Sequence, residues 1–326
     1  MTLRKRKVVV TDYTFPTLDH EQAATTKSNA EFAAFQCRTA DEVTDAVRGA
    51  DVAVVQFAPL TASAIDGLAE GAAIIRYGIG FDNLDIAAAN ARGVPAGYVP
   101  DYCIDEVADH TVALILTQLR KVVPLDASVR AGQWAAVAVA KPLASYRETT
   151  VGFLGFGQIA RAVADRLRPS GFRFIAADPM LDAKSAAALG VEPVDPETLV
   201  EQADILSLHA PGTPQTNKFV NAERLSRMKP NVFIVNTARG ALIDEPALAE
   251  ALKAGRIAGA ALDVFQAEPL PLDSPLRDAP NLILTPHAAW YSSAAIEQLQ
   301  HLVAVDIEAH LAGQPLRKPV PGSLAR

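Results

Sequence analysis

The sequence predicts an α/β protein with a doubly wound parallel sheet and a second, smaller open α/β domain, and three observations carry that expectation. Short apolar runs bounded by turn residues alternate with stretches of helical period from the start of the chain to about residue 290, the signature of βαβ units. At 326 residues the chain exceeds what one hydrophobic core serves, so the alternation is expected to fall into two domains. Near the middle, a glycine-rich turn joins one apolar run to one helical stretch.

In chain order, the first block offers strands at residues 7–10, 31–36, 52–57, 73–77 and 95–99, separated by Ala- and Asp-rich helical segments such as residues 40–47. A helix is predicted over 104–119, because Val107, Leu114 and Ile115 fall on one stripe of a helical period. It is expected to carry the chain into a second block of six strands, at 150–154, 172–177, 205–208, 232–236, 258–262 and 282–284. Residue 293 to about 312 reads as a final helix with the option of packing back on the first domain, and Pro315, Pro319 and Pro321 then end regular structure.

Bulk composition narrows the function classes. Half of the residues are hydrophobic and 21% are charged, an ordinary globular balance, and no run approaches the roughly 18 apolar residues of a membrane helix. Arg4, Lys5, Arg6 and Lys7 precede only Val8, Val9 and Val10 before Asp12, too short an apolar core for a signal peptide. A net charge of −7 without another dense basic cluster argues against a nucleic-acid or anionic-membrane surface. Cys37 and Cys103 lie far apart without Cys-x-x-Cys spacing, which suits a reducing cytoplasm. The six histidines include no pair at metal-ligand spacing, so no metal is expected and small molecules are the expected partners.

The glycine turn sits where a dinucleotide fingerprint requires it. After the run Val151-Gly152-Phe153-Leu154 come Gly155, Phe156, Gly157, Gln158, Ile159 and Ala160, followed by a helical stretch at 161–168. Gly155 permits the tight turn, Gly157 lets backbone N–H groups approach a pyrophosphate at a helix N-terminus, and small Ala160 allows close helix–strand packing. Asp178 closes the next apolar run, 23 residues after Gly155, where a carboxylate accepts both ribose hydroxyls. It also repels a 2′-phosphate, and Pro179-Met180 supplies no arginine for one, so a Rossmann domain with NAD as cofactor is predicted.

In an open parallel sheet, ligands bind outside the carboxyl ends of the strands. Polar residues follow the apolar runs there: Asp178, His209, Arg239, Asp263 and His287. Hydride transfer to a ketone needs a proton donor for its oxygen and a cation to hold a neighbouring carboxylate and polarise the carbonyl. His287 and Arg239 are the obvious pair, since the guanidinium fork grips a carboxylate in bidentate fashion. Glu268 is the candidate carboxylate that favours imidazolium and orients the ring. Taken singly, each has a bland alternative: a charge in a glycine turn, a loop carboxylate, a capping residue after Pro286. His209 reads as a strand-end residue bonded to nearby backbone, and His20, His110, His301 and His310 as structural or surface residues.

Together these motifs make the chain resemble the D-isomer-specific 2-hydroxyacid dehydrogenases over essentially its whole length. The resemblance rests on Gly155 to Ala160 with Asp178; Leu208-His209-Ala210-Pro211 with Thr213 and Thr216; Asn236-Thr237-Ala238-Arg239-Gly240; Ala261-Leu262-Asp263-Val264 with Glu268-Pro269; and Thr285-Pro286-His287. It implies a smaller flavodoxin-like substrate domain, residues 1–100 and 293–326, around an inserted NAD-binding Rossmann domain with a dimerisation segment, residues 101–292. An interdomain cleft that closes on substrate and a homodimer are implied as well. The resemblance assigns catalysis to Arg239, Glu268 and His287. To the cofactor it assigns Gly155, Phe156, Gly157, Gln158, Ile159, Asp178, His209, Ala210, Pro211, Thr216, Thr237, Ala238, Asp263 and His287. Substrate contacts fall to Arg76, Ile79, Gly80, Arg239 and Trp290.

Within the family, the run from His287 to Ser292 together with Arg76 is most similar to the C-terminal-binding protein branch. Two readings of Trp290 stand: contact with the apolar tail of an α-keto acid, such as one bearing a thioether, or packing between domains. With Arg326 as its last residue, the chain is expected to carry neither a long disordered tail nor a regulatory domain. The rival from another class is an NAD-sensing dimeric scaffold that recruits a protein, which retention of all three catalytic candidates disfavours. A third reading keeps the chemistry and changes the substrate to formate, phosphite or a phosphorylated hydroxy acid.

Overall fold

A computed structural model describes residues 4–324; residues 1–3 and 325–326, with the expected chain end, lie outside the described residues. The chain divides into two compact units, Met1–Cys103 with Ser292–Arg326, and Ile104–Tyr291.

The first unit begins with β1 (Lys7–Val10), α1 (Asp19–Lys27), β2 (Glu31–Ala34), α2 (Ala40–Ala46), β3 (Val52–Val55), α3 (Ala62–Asp66), β4 (Ala73–Arg76), α4 (Ile86–Ala91) and β5 (Ala96–Tyr98). Its five strands are all parallel, in the order β2-β1-β3-β4-β5, the flavodoxin-like winding. Val8, Val9, Val10 and the whole of β3 are fully buried, as expected of central strands covered by helices on both faces. Thr39 caps α2 through a reciprocal box with Glu42.

Several predicted strands run one or two residues too long, and hydrogen bonding explains the clearest case. The Asp12 carboxylate, at the end of β1, accepts the N–H groups of Gln56 (3.0 Å), Phe57 (2.5 Å) and Ala58 (3.0 Å). Those donors are lost to the ladder, so β3 stops at Val55 rather than Phe57. Pro95 has no N–H to contribute, and β5 starts at Ala96.

The second unit opens with three helices, α5 (Ile104–Leu119), α6 (Val122–Arg130) and α7 (Ala136–Ala140). Apolar side chains of this stretch face solvent: Val122 and Val123 are each 52% exposed, Val137 75% and Trp134 93%. There follow β6 (Thr150–Leu154), α8 (Gln158–Leu167), β7 (Arg173–Ala177), α9 (Ala183–Ala188), β8 (Glu192–Pro193), α10 (Pro196–Gln202), β9 (Ile205–Leu208), α11 (Ala222–Arg227), β10 (Phe233–Asn236), α12 (Glu245–Lys253), β11 (Gly259–Leu262) and β12 (Leu282–Leu284).

This parallel sheet has seven strands, ordered β12-β11-β10-β9-β6-β7-β8, where the sequence suggested six. The missed strand is two exposed residues, Glu192 and Pro193, too short and too polar to show a period. β6 and β9 to β11 are buried throughout. Ala160, Val163, Ala164 and Leu167 bury one face of α8 at helical spacing. That helix starts at Gln158, inside the glycine motif, rather than at residue 161.

The chain then returns to the first unit as α13 (Ser293–Leu311), which packs on α1 and β4. Beyond it the tail lies along β5, with Tyr98 N–H donating to the Lys318 carbonyl (3.1 Å) and Val320 N–H to that of Ala96 (2.8 Å).

Candidate active site

In the second unit the strand order reverses between β6 and β9, the place where a doubly wound sheet opens a crevice. Gly155 closes β6 with φ +83°, and a Cβ there would lie 2.9 Å from the Ala210 nitrogen and 3.0 Å from the His209 carbonyl oxygen. Glycine is thus required twice, by its backbone and by the approach of the chain leaving β9. Gly157 differs: a Cβ added to it would meet, among the described residues, no atom within 4 Å beyond its own chain neighbours. It caps α8 without a side-chain hydrogen bond, whereas Asp182, Asp195 and Asp244 cap α9, α10 and α12 with their carboxylates. The first N–H groups of α8 are thereby left for an outside anion, which fits a dinucleotide pyrophosphate.

Asp178, just past β7, is drawn onto this turn. It accepts Phe156 N–H through Oδ2 and Met180 N–H through Oδ1, both at 2.7 Å. Each oxygen keeps a further lone pair for a hydroxyl donor. Phe156 itself turns inward against Phe153 (ring centroids 5.3 Å), so only its backbone serves the turn. Gln158 is exposed, Ile159 half-buried and Ala160 fully buried.

His209 bonds not to backbone, as the sequence suggested, but to the Ser207 hydroxyl (2.8 Å). The residue as a whole is half-buried, but its ring packs 5.8 Å from Phe153, and burial pushes its pKa down to about 4. A neutral ring of that kind is no general acid near neutral pH. Ala210 is buried, and the Thr216 hydroxyl donates to the Pro211 carbonyl (2.6 Å) and contacts the Thr213 hydroxyl (3.0 Å), which shapes the loop after β9. Thr237 is buried with its hydroxyl 2.8 Å from that of Thr111 on α5.

The catalytic candidates meet through two loop contacts. Asn236, at the end of β10, folds the next turn by accepting Ala238 N–H (3.0 Å) and donating to the Arg239 carbonyl (2.8 Å); sequence reasoning gave it no role. The Arg239 guanidinium donates to the Ala238 carbonyl (2.6 Å). A Cβ on Gly240 would stand 1.9 Å from the Phe265 carbonyl carbon, so only glycine lets the Arg239 turn press against the 265–268 turn. There Glu268 accepts Phe265 N–H through Oε1 (2.9 Å) and faces His287 Nδ1 through Oε2 (2.7 Å). Burial opposes the charge on Glu268, but the His287 bond and charge, the Phe265 N–H and nearby Arg239 outweigh it and hold the carboxyl below its ordinary range. Arg239, Glu268 and His287 thus come together on one edge, the edge that carries the glycine turn.

Asp263, expected at the cofactor edge, is tied into the loop that follows β12. Its carboxylate is fully buried and accepts the Thr285 hydroxyl (2.5 Å), Ala288 N–H and Ala289 N–H (both 2.9 Å), while its carbonyl accepts His287 N–H (2.8 Å). It anchors the loop in which His287 sits at φ +52°, a left-handed backbone that a non-glycine residue holds only when its surroundings enforce it. His110, taken from sequence as structural or surface, supports that anchor, with Nε2 3.2 Å from the Thr285 hydroxyl and 3.8 Å from Asp263. Trp290 is half-buried and edge-on to Tyr291 (5.9 Å, 86°).

Arg76, Ile79 and Gly80 belong to the first unit, at the carboxyl end of β4. There the Arg76 guanidinium folds back to donate to the Tyr77 carbonyl. Gly78, at φ +114°, leaves the space it occupies: a Cβ would lie 2.1 Å from Nη1. Ile79 is half-buried and Gly80 buried.

Comparison with known proteins agrees with this chemistry. Residues 112–289 match the family model described as D-isomer specific 2-hydroxyacid dehydrogenase, NAD binding domain. Glycerate dehydrogenase of Methylorubrum extorquens is 35% identical over 284 residues, 85% of this chain and 88% of the relative. A glyoxylate reductase of Korarchaeum cryptofilum is 36% identical over 258 residues, 78% of each chain. Among solved structures, an NADPH-dependent glyoxylate/hydroxypyruvate reductase of Sinorhizobium meliloti, in complex with NADP and malonate, aligns with a TM-score of 0.85 at 30% identity, covering 99% of both chains.

Proposed function

Because the chain belongs to the D-isomer specific 2-hydroxyacid dehydrogenase family and is an oxidoreductase of CH–OH donors, we propose that it uses NAD to interconvert a small 2-oxo acid and its D-2-hydroxy acid. The observation that carries the reading is the 2.7 Å pair of Glu268 and His287 beside Arg239, on the edge of the glycine turn.

A bound nicotinamide supplies or takes the hydride at C2 of the acid. Arg239 grips the carboxylate and polarises the adjacent carbonyl. Glu268 holds His287 through Nδ1, and Nε2 is the atom that gives a proton to the substrate oxygen in reduction and removes it in oxidation. His209, neutral by desolvation, takes no part in that transfer. Gly155 to Ile159, Asp178, the loop from His209 to Thr216, Thr237 and Ala238 cradle the dinucleotide, and Asp263 acts through the His287 loop. The 76–80 loop takes the substrate carboxylate through Arg76, Ile79 and Gly80, and Trp290 lines the pocket for the acid's tail. Glyoxylate and hydroxypyruvate are the first substrates to try, given what the relatives are named for.

The choice of NAD rests on Asp178 and on the absence of arginine at the two following positions, Pro179 and Met180. The apolar surface from Val122 to Val137, with Trp134 almost wholly exposed, supports a homodimer. The buried cysteines Cys37 and Cys103, in no disulfide, suit the cytoplasm.

A panel of 2-oxo acids assayed with NADH and NADPH from pH 5 to 9 tests the reading, and no turnover on any member overturns it. Asp178→Ala is expected to shift the NADH:NADPH preference about tenfold towards the phosphorylated cofactor. An unaltered protein that uses both cofactors equally removes the role given to Asp178.

A further inference from the structure

Beneath the 76–80 loop lies a buried acid that the mechanism above does not use. Glu21, on α1, has no exposed surface. Its Oε1 accepts the Tyr77 hydroxyl at 2.8 Å, and its Oε2 the Gln300 amide from α13 at 3.3 Å. The same amide donates to the Thr17 carbonyl (2.8 Å). Tyr77 is 1% exposed, its ring edge-on to Phe15 at 5.0 Å. Three side chains from α1, the β4 end and α13 therefore meet in a place without water access.

Burying a carboxylate costs several kcal/mol unless it is well bonded, and apolar residues of similar volume would fill this space at less cost. What the polar version adds is direction, because a phenol bonded at its tip has one orientation. Tyr77 is also the residue on which the loop turns. Its N–H donates to the Val55 carbonyl (2.9 Å), its carbonyl receives the Arg76 guanidinium, and the Gly78 carbonyl beyond it accepts Val99 N–H (3.2 Å). Fixing the phenol fixes the carbonyl against which Arg76 rests. Burial raises both the Glu21 carboxyl and the Tyr77 phenol above their ordinary ranges, so the phenol remains a donor under working conditions.

We propose that Glu21, Tyr77 and Gln300 are positioning residues that hold the 76–80 loop in its substrate-receiving geometry and so tie affinity for the 2-oxo acid to α1 and α13. The inference rests on the reading of Arg76, Ile79 and Gly80 as substrate contacts.

In Tyr77→Phe, KM for the 2-oxo acid is expected to rise about tenfold, while kcat and the Kd for NADH stay within about twofold. Glu21→Ala should reproduce this, and Glu21→Gln, which keeps an acceptor for the phenol, should restore KM. A Tyr77→Phe protein with unaltered KM, or one losing KM, kcat and NADH affinity together in step with its Tm, overturns the proposal. Amide exchange of residues 77–80 gives an answer that does not depend on turnover: selective acceleration in Tyr77→Phe supports the device, and unchanged exchange refutes it. If the unaltered protein reduces no 2-oxo acid, the functional reading falls by itself and the exchange result still decides the inference.

Discussion

At the switch point of the first sheet, between β1 and β3, Asp12 turns its carboxylate onto the N–H groups of Gln56, Phe57 and Ala58. At the switch point of the second, between β6 and β9, Gly155 and Gly157 line the turn, and among the described residues none beyond its chain neighbours lies within 4 Å of where a Gly157 side chain would begin. Both sheets are parallel and both windings open a crevice there. The anion that satisfies the loop comes from the chain itself in one unit and is left to a ligand in the other. Topology supplies the place, and one or two residues decide whether it is a joint or a binding site.

The largest effect should fall on the open edge. His287→Gln is expected to lower kcat about a thousandfold or more while the Kd for NADH changes little, since the change removes the proposed proton donor and leaves the glycine turn and Asp178 intact. Turnover near that of the unaltered enzyme would sink the assignment of the acid. In the first unit, Asp12→Ala strands three backbone donors at once and should cost about 3 kcal/mol in chemical denaturation, with no direct effect on NADH affinity. A loss below about 1 kcal/mol would mean that Asp12 does not close its crevice.

The contrast can be erased by writing the first unit's solution into the second. Gly157 has an ordinary φ of −76° and open space, so Gly157→Asp should fold, gain a few tenths of a kcal/mol as a helix cap, and bind NADH about a hundredfold more weakly. Retained affinity, measured by calorimetry, would show that the α8 terminus does not face the pyrophosphate. A smaller effect concerns His209. In the unfolded chain it takes a proton below about pH 6.5, whereas in the fold it stays neutral to about pH 4. Stability present at neutral pH is therefore lost as pH falls through that window, by at most about 2 kcal/mol between pH 7 and pH 5. His209→Gln should flatten that slope in urea titrations at the two pH values, and an unchanged slope would assign it to other groups.

What was legible in the sequence was whatever repeats or sits at a fixed offset. Buried parallel strands are nearly continuous apolar runs, so β1, β6 and β9 stand at the predicted residues, and the fingerprint glycines follow β6 at their required spacing. Residues whose meaning depends on closure were not legible. Nothing local to Asp12 points to residues 56–58, nor anything local to Glu21 to Tyr77 and Gln300. Asp263 was placed at the right strand end, but its position past β11 says nothing about the Thr285 hydroxyl and the Ala288 and Ala289 N–H groups that its carboxylate accepts. Asn236 was given no role and His110 no partner for a related reason: what they bond is a turn three residues on and a hydroxyl 175 residues away.

The two tryptophans, Trp134 and Trp290, stand in sharply different surroundings. Trp134 is nearly all solvent-facing on the helical stretch before β6, and Trp290 lies three residues beyond the histidine whose backbone is left-handed. Intrinsic fluorescence therefore carries two separate reporters. Self-association should shift the red-edge emission of Trp134 to the blue, and occupancy beside His287 should change the intensity from Trp290. With one tryptophan replaced by phenylalanine at a time, assembly and ligand uptake become separately observable in a single cuvette without any added dye.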